Sequence, residues 1–376
     1  MPGERTTVNA DMKAKSPKPS VGDWVEVRRK EEILATLDNE GRLDGMPFMP
    51  EMFAFCGKRF RVYKRAHKTC DTAFPVRGRR VDRAVHLETR CDGSAHGGCQ
   101  ASCLIFWKEA WLKPIGKNPP KGPPVLDEVQ AARTVTGAVA GCSESDVLAR
   151  ARAVDKDGAG PTYVCQATRL PYATTDLAWW DFRQYLEDYS SGNVGIWRMI
   201  CGAVYFLCLA LSDAGLKLGR PLRWFYDHLY PLWRGAPFPR RHGTIPHGEP
   251  TPASTLDLQP GEMVRIKPYK EILSTLDTRD RNRGLYFDAE EVPYCGGTYR
   301  VLKRVTKIVN ERTGKMHEMK NPCFILDSVI CQSRYSECRL FCPRSIYSYW
   351  RGIWLERVEP NAADAQLRDR GLVSQR

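Results

Sequence analysis

The sequence predicts an α+β, multidomain chain in which two copies of a small β module, each carrying a cysteine cluster, flank a helical middle. Three observations predict it. The chain has 376 residues, and at roughly 150 residues per domain that is about two and a half domains. A duplication at an offset of 239 residues aligns the segment after Gly22 with the segment after Gly261. Between the copies, periodicity changes from that of short strands to that of helices. Hydrophobic residues make up 42% and charged residues 27% of the chain, which excludes a disordered polymer. The net charge of +13 admits an anionic partner without choosing one.

The polar tail 1–20 leads into the first module, 21–115. There Gly22-Asp-Trp-Val-Glu-Val-Arg28 matches Gly261-Glu-Met-Val-Arg-Ile-Lys267, and Glu32–Asp38 matches Glu271–Asp277. Phe55-Cys56-Gly57 and Phe60–Arg65 match Tyr294-Cys295-Gly296 and Tyr299–Arg304. Val25/Val27 and Phe60/Val62 alternate with polar neighbours as half-buried strands do. Val85-His86-Leu87 and Ile105–Leu112 add further short strands. Four or five such strands in under a hundred residues resemble an SH3-like small β-barrel, which makes the fold two SH3-like modules with cysteine clusters around a helical middle domain. Segment 116–141 reads as a Pro/Gly/Lys linker. In the middle domain, 142–239, Thr175 or Asp176 caps a helix over Leu177–Tyr189, a second helix runs to about Leu216, and Pro221 opens a third. A second linker, 240–259, precedes the second module, 260–359, and a tail, 360–376. Trp107 and Trp111 match Trp350 and Trp354 at an offset of 243, so a four-residue slip is expected after the last cysteine.

The cysteines are the chemistry-bearing residues that the copies share. Cys56, Cys91, Cys99 and Cys103 read C-x34-C-x7-C-x3-C, and Cys295, Cys331, Cys338 and Cys342 read C-x35-C-x6-C-x3-C. Four convergent thiolates suit a tetrahedral zinc or an iron-sulfur cluster, so two metal centres are expected and the spacing leaves the metal open. Glu51 and Glu290, five residues before Cys56 and Cys295, are candidates to support those sites. Cys91-Asp-Gly-Ser-Ala-His96 resembles the second half of the CDGSH iron-sulfur signature. The upstream C-x-C half is missing and the second copy has no histidine, so His96 is expected to be a loop residue.

Nucleotide loops, nucleophile elbows and zinc-protease helices are absent, which points away from an enzyme. Between Lys58 and Arg90 eleven Lys/Arg face three acids. Arg59, Arg61, Lys64 and Arg65, with Arg300, Lys303 and Arg304 in the second copy, are candidates for an anionic partner, with Phe60, Tyr63 and Phe74 as stacking surface. No nucleic-acid motif accompanies them. The N-terminus has no apolar segment, so the expectation is cytoplasmic, with reduced thiols. Met199–Leu211 is short for a span and long enough for peripheral membrane contact. Trp179, Trp180, Trp197, Trp224 and Trp233 with Arg198, Arg220, Arg223 and Arg234 would supply an aromatic-basic belt there.

The strings at Lys270–Asp277, Cys56–Val62 and Cys91–Cys99 resemble those of a group of uncharacterised bacterial proteins with duplicated cysteine-rich modules. That resemblance implies no activity. The reading is therefore a non-catalytic, metal-binding scaffold or binding protein. An iron-sulfur electron-transfer protein, a nucleic-acid-binding protein and a membrane-associated accessory of polysaccharide synthesis are the alternatives.

Overall fold

The computed structural model describes residues 18–73, 77–118, 142–154, 160–213, 219–230, 237–238, 241–335 and 339–358. The fold is mixed α and β, with several small antiparallel sheets rather than one large one. In the first half, β1 (Trp24–Val27), β2 (Arg59–Arg65), β3 (Ala84–Arg90), β4 (Leu104–Lys108) and β5 (Leu112–Gly116) form a sheet in the order β4-β3-β2-β1-β5. Val25 and Val27 point inward and are fully buried while Trp24 and Glu26 are half-exposed, the alternation a one-sided strand requires. Between β1 and β2 lie a short helix at Lys30–Leu34, a tight hairpin at Arg42–Pro47 and a 3-10 helix at Pro50–Phe55.

A short helix at Glu144–Arg150 follows, and after it α1 (Gln166–Ala173), α2 (Arg183–Ser190), α3 (Ile196–Asp213) and α4 (Gly219–Leu229). The helix expected over Leu177–Tyr189 is shorter than the sequence suggested. Thr175–Leu177 instead pairs as a strand with Gly78–Arg80, held there by Arg79, which donates to Thr174 and Asp176. The second half repeats the frame with β6 (Met263–Ile266), β7 (Thr298–Val309), β8 (Met316–Leu326) and β9 (Leu355–Arg357), in the order β8-β7-β6-β9.

The middle segment has no core of its own among the described residues. Cys142, Val147 and Leu170 are buried with the first half, around Trp107 and Trp111. Tyr205, Leu209, Tyr226 and Phe238 are buried with the second, around Trp350 and Trp354. All four tryptophans are fully buried. The two longest middle helices, α3 and α4, pack on each other through Tyr205 and Tyr226, ring centres 5.7 Å apart, and both of these rings belong to the second core. No helix among the described residues is long and apolar enough to cross a membrane.

Candidate functional site: a thiol cavity at the module junction

Strand β3 ends at Cys91 and the chain returns as β4 from Leu104, so Cys91–Cys103 is a closed loop, fastened by the Cys91 amide donating to the Cys103 carbonyl at 2.9 Å. Gly93 is at φ +76°, and a Cβ there would lie 2.0 Å from the Cys99 carbonyl oxygen, so this tight loop admits only glycine. Buried Glu51, from the 3-10 helix, anchors the loop from below. Its Oε1 accepts from the Ala95 amide at 3.1 Å and lies 2.7 Å from His96 Nδ1. Burial alone would raise the Glu51 carboxyl, but His96 and the Ala95 amide outweigh it and hold the group below its ordinary value.

Glu51, Cys91 and His96 form the one set among the described residues in which three candidate ligand atoms lie within 4.8 Å of one another. Hydrogen bonding accounts for this set. His96 Nδ1 faces the Glu51 carboxylate and Nε2 faces the Val164 carbonyl at 3.1 Å, so both nitrogens face oxygen acceptors.

The thiols gather along the same loop, next to His96. Cys91, Cys99 and Cys103 line a small cavity of about 30 Å³ together with Cys165, which begins α1, and with Met49, Phe106, Val309 and Arg344. Burial pushes the Cys103 thiol up to about 12 and Cys165 to about 11, and raises Cys91 still further. Neutral, desolvated thiols are poor nucleophiles. Cys56 is absent from the lining; it ends the 3-10 helix, near Lys30 and Glu31. The cavity thus takes a thiol from the middle segment in place of Cys56. Sequence reasoning missed Cys165 because it lies outside the repeat.

In the second half the loop starts at Cys331, and its hydrogen bonds fix which residues correspond. The Cys331 amide donates to the Ile346 carbonyl at 2.7 Å, as Cys91 does to Cys103. Glu290, also buried, accepts from the Tyr335 amide at 2.5 Å, as Glu51 does from Ala95. The Cys342 amide donates to Arg339 as Cys99 does to His96, and Phe341 to Ser333 as Gly98 to Gly93. Cys99 therefore corresponds to Cys342, and Cys103 to Ile346. The expected alignment of Cys99 with Cys338 and of Cys103 with Cys342 is corrected: the slip comes before the shared cysteine, one residue of it ahead of Cys331 and three inside the loop. Cys338 itself lies outside the described residues. Cys295 ends a 3-10 helix like Cys56, its thiol pushed up by burial and by Glu291.

The two loops face each other across an internal pseudo-two-fold. Cys99 Sγ accepts from the Val309 amide at 3.3 Å, and Cys342 Sγ accepts from the Cys70 amide at 3.1 Å. Cys70 and Val309 are 239 residues apart, the repeat offset. Lys64 Nζ donates to Ser345 Oγ at 3.2 Å and Lys303 Nζ to Ser102 Oγ at 2.6 Å, again an equivalent pair. Cys70 and Cys342 are buried together, the Cys70 thiol raised and Cys342 lowered by the hydrogen bond between them.

This arrangement places most of the candidate basic residues in internal contacts. Arg59 pairs with Glu26 at 3.0 Å, Arg61 donates to the Gly22 carbonyl, and Arg304 lies 3.6 Å from Asp257. Buried Arg65 bridges Glu109 and Glu187. Arg300 is exposed. Phe74, Trp233 and Arg234 lie outside the described residues. No protein-family model and no curated protein matches the chain.

Proposed function

We propose that the protein is a non-catalytic, metal-stapled scaffold built from two fused SH3-like modules, with zinc held by Cys91, Cys99, Cys103 and Cys165. The observation that carries this reading is the small cavity that these four thiols line together. Its size favours zinc over a cluster: about 30 Å³ has room for roughly one water-sized occupant. In a tetrahedral thiolate site with Zn–S bonds of about 2.3 Å, neighbouring sulfurs lie about 3.8 Å apart. The sulfurs stand wider than that here, since no three of them meet the 4.8 Å criterion that Glu51, Cys91 and His96 satisfy. Zinc would draw them inward and displace their protons, so binding would be coupled to pH and to folding. Joining the first module to α1 would stiffen a junction that buries few large side chains. The internal pairing of Lys64, Arg65 and Lys303 argues against these residues as a nucleic-acid surface.

The test is metal analysis of the full chain purified without air, beside the Cys165→Ser and Cys56→Ser variants. Zinc in the parent and in Cys56→Ser, and its loss from Cys165→Ser, are expected. Iron with visible absorbance, or metal-free protein with titratable thiols, would overturn the reading.

A further inference from the structure

Among the described residues the outward side of α3 is left uncovered along its length. Along it Ile196, Ile200, Leu207 and Leu211 recur at helical spacing and are 61%, 47%, 59% and 37% exposed, whereas Tyr205, Cys208 and Leu209 on the inward side are buried in the second core. Beside this stripe the Trp179-Trp180 turn stands over the helix. Trp179 stacks on Phe206 with ring centres 5.4 Å apart. Trp179, Trp180, Met199, Ile200, Ala203 and Phe206 line an open apolar groove of about 570 Å³. Trp180 is 71% exposed. Continuous apolar surface of this kind is costly in water and marks an interaction site.

The charges around this face are complementary to an anionic surface. Arg220 and Arg223 on α4, which packs on α3, are exposed, Arg223 with its guanidinium 5.2 Å from the Phe238 ring, while Arg183 beside the tryptophan turn is itself paired with Asp181 at 2.8 Å. The neighbouring acids are engaged: Asp181 by Arg183, and Glu187 by Arg65. The helix is too short to cross a bilayer, yet it offers tryptophan, isoleucine and leucine on one side with arginine at the edge. That is the composition of a helix lying in the plane of a membrane interface, with rings at headgroup depth and guanidinium groups on the phosphates.

We infer that this face docks on an anionic phospholipid bilayer, with α3 parallel to the surface and the groove open to the acyl region. The inference is independent of zinc. Each rim arginine would add about 1 kcal/mol on an anionic leaflet.

Flotation of the full chain with vesicles tests it, comparing phosphatidylcholine alone with a mixture containing phosphatidylglycerol. Binding to the mixed vesicles, weakened by salt, is expected. Ile200→Asp and Leu207→Asp should each weaken it by at least about tenfold, and Arg220→Glu with Arg223→Glu by a similar factor at low salt only. These side chains are exposed, so the variants should keep the parent's circular dichroism and unfolding midpoint; Trp180→Ser serves as a milder second probe. Absence of binding, or binding indifferent to all of these changes, would overturn the inference. So would a parent dimer in sedimentation equilibrium that Leu207→Asp dissociates while vesicles are ignored, because the face would then be covered by a second copy.

Discussion

The two modules share a frame and differ in what they place inside it. Trp111 Nε1 donates to Thr36 Oγ1 at 3.1 Å and Trp354 Nε1 to Thr275 Oγ1 at 2.9 Å, the same bond at the same repeat position. Glu51 and Glu290 fasten the same loop amide. Where the first module has Cys103, the second has Ile346; where the first has Met52 in its core, the second has Glu291. His96 faces Glu51, whereas the second copy has the nearby Arg198 guanidinium from α3 beside Glu290. The backbone frame is therefore conserved between halves because it carries the packing, and the loop interior is free to diverge toward different chemistry.

The largest effect expected from this difference is metal-linked. If zinc sits in the first module's cavity, about 10 kcal/mol of apparent binding energy is coupled to its folding. A chelator should then lower the parent's urea midpoint sharply and leave Cys165→Ser, already stripped, almost unchanged. Equal responses in the two proteins would erase the proposed asymmetry.

A smaller contrast lies in the paired tryptophans. Trp107 Nε1 donates to the buried Thr89 hydroxyl at 2.8 Å, while the equally buried Trp350 Nε1 has no hydrogen-bond partner. Trp107→Phe and Trp350→Phe remove similar volume and should both destabilise. The first also orphans Thr89, and the second removes an unsatisfied donor. Denaturant unfolding should show Trp107→Phe to be the worse by about 2 kcal/mol. A reversed order would mean that packing around the two rings, and not polar satisfaction, distinguishes the halves.

Much of this frame was legible in the sequence, because alternating strands and turn strings repeat at a fixed offset that survives divergence. The cysteine register was not. Cys99 and Cys103 are four apart, Cys338 and Cys342 are four apart, and the slip is also four, so sliding one pair past the other still matches thiol to thiol. Only the loop's hydrogen bonds break that degeneracy. Cys165 was not legible as part of the set for a different reason: proximity across the 61 residues between Cys103 and Cys165 leaves no local pattern. The sequence reads Thr175 or Asp176 as a helix cap and Leu177 as the first helical residue, whereas Thr175–Leu177 is a strand, because its partner, Gly78–Arg80, is nearly a hundred residues away.

Glu291 offers the next test. It is fully enclosed where the first module has Met52, and burial, with Asp288 nearby, drives its carboxyl well above the ordinary value. Restoring the first module's residue with Glu291→Met should stabilise the chain near pH 7 by about 1 kcal/mol or more, read from the urea midpoint. A loss of stability would show that its bond from the Asp288 amide, 3.1 Å long, matters more than its desolvation.

The smallest effect is a difference in pH dependence between the halves. Asp44 of the first module is held below its ordinary 3.8 by the hydrogen bond from Lys108 Nζ at 2.8 Å. Its repeat counterparts are Arg283 and Arg351, so the second module has no carboxylate there. A carboxyl lowered on folding contributes stability that is present above its unfolded value and lost as pH falls through the folded one. Glu291 has the opposite sign, since a raised carboxyl contributes stability below about 4.5 that is lost as pH rises toward its folded value. Asp44→Asn should therefore flatten the acid limb of the stability profile, and Glu291→Gln the limb above pH 4.5. The Asp44 side chain is 42% exposed, so solvent screens its pair and the acid-limb change should be the slighter. Unfolding free energies measured from pH 3 to pH 8 in the parent and both variants would separate the limbs. Should Asp44→Asn leave the acid limb unchanged, the Asp44–Lys108 pair would contribute nothing to it, and the Asp82 carbonyl that Lys108 also reaches at 2.7 Å would be its main anchor.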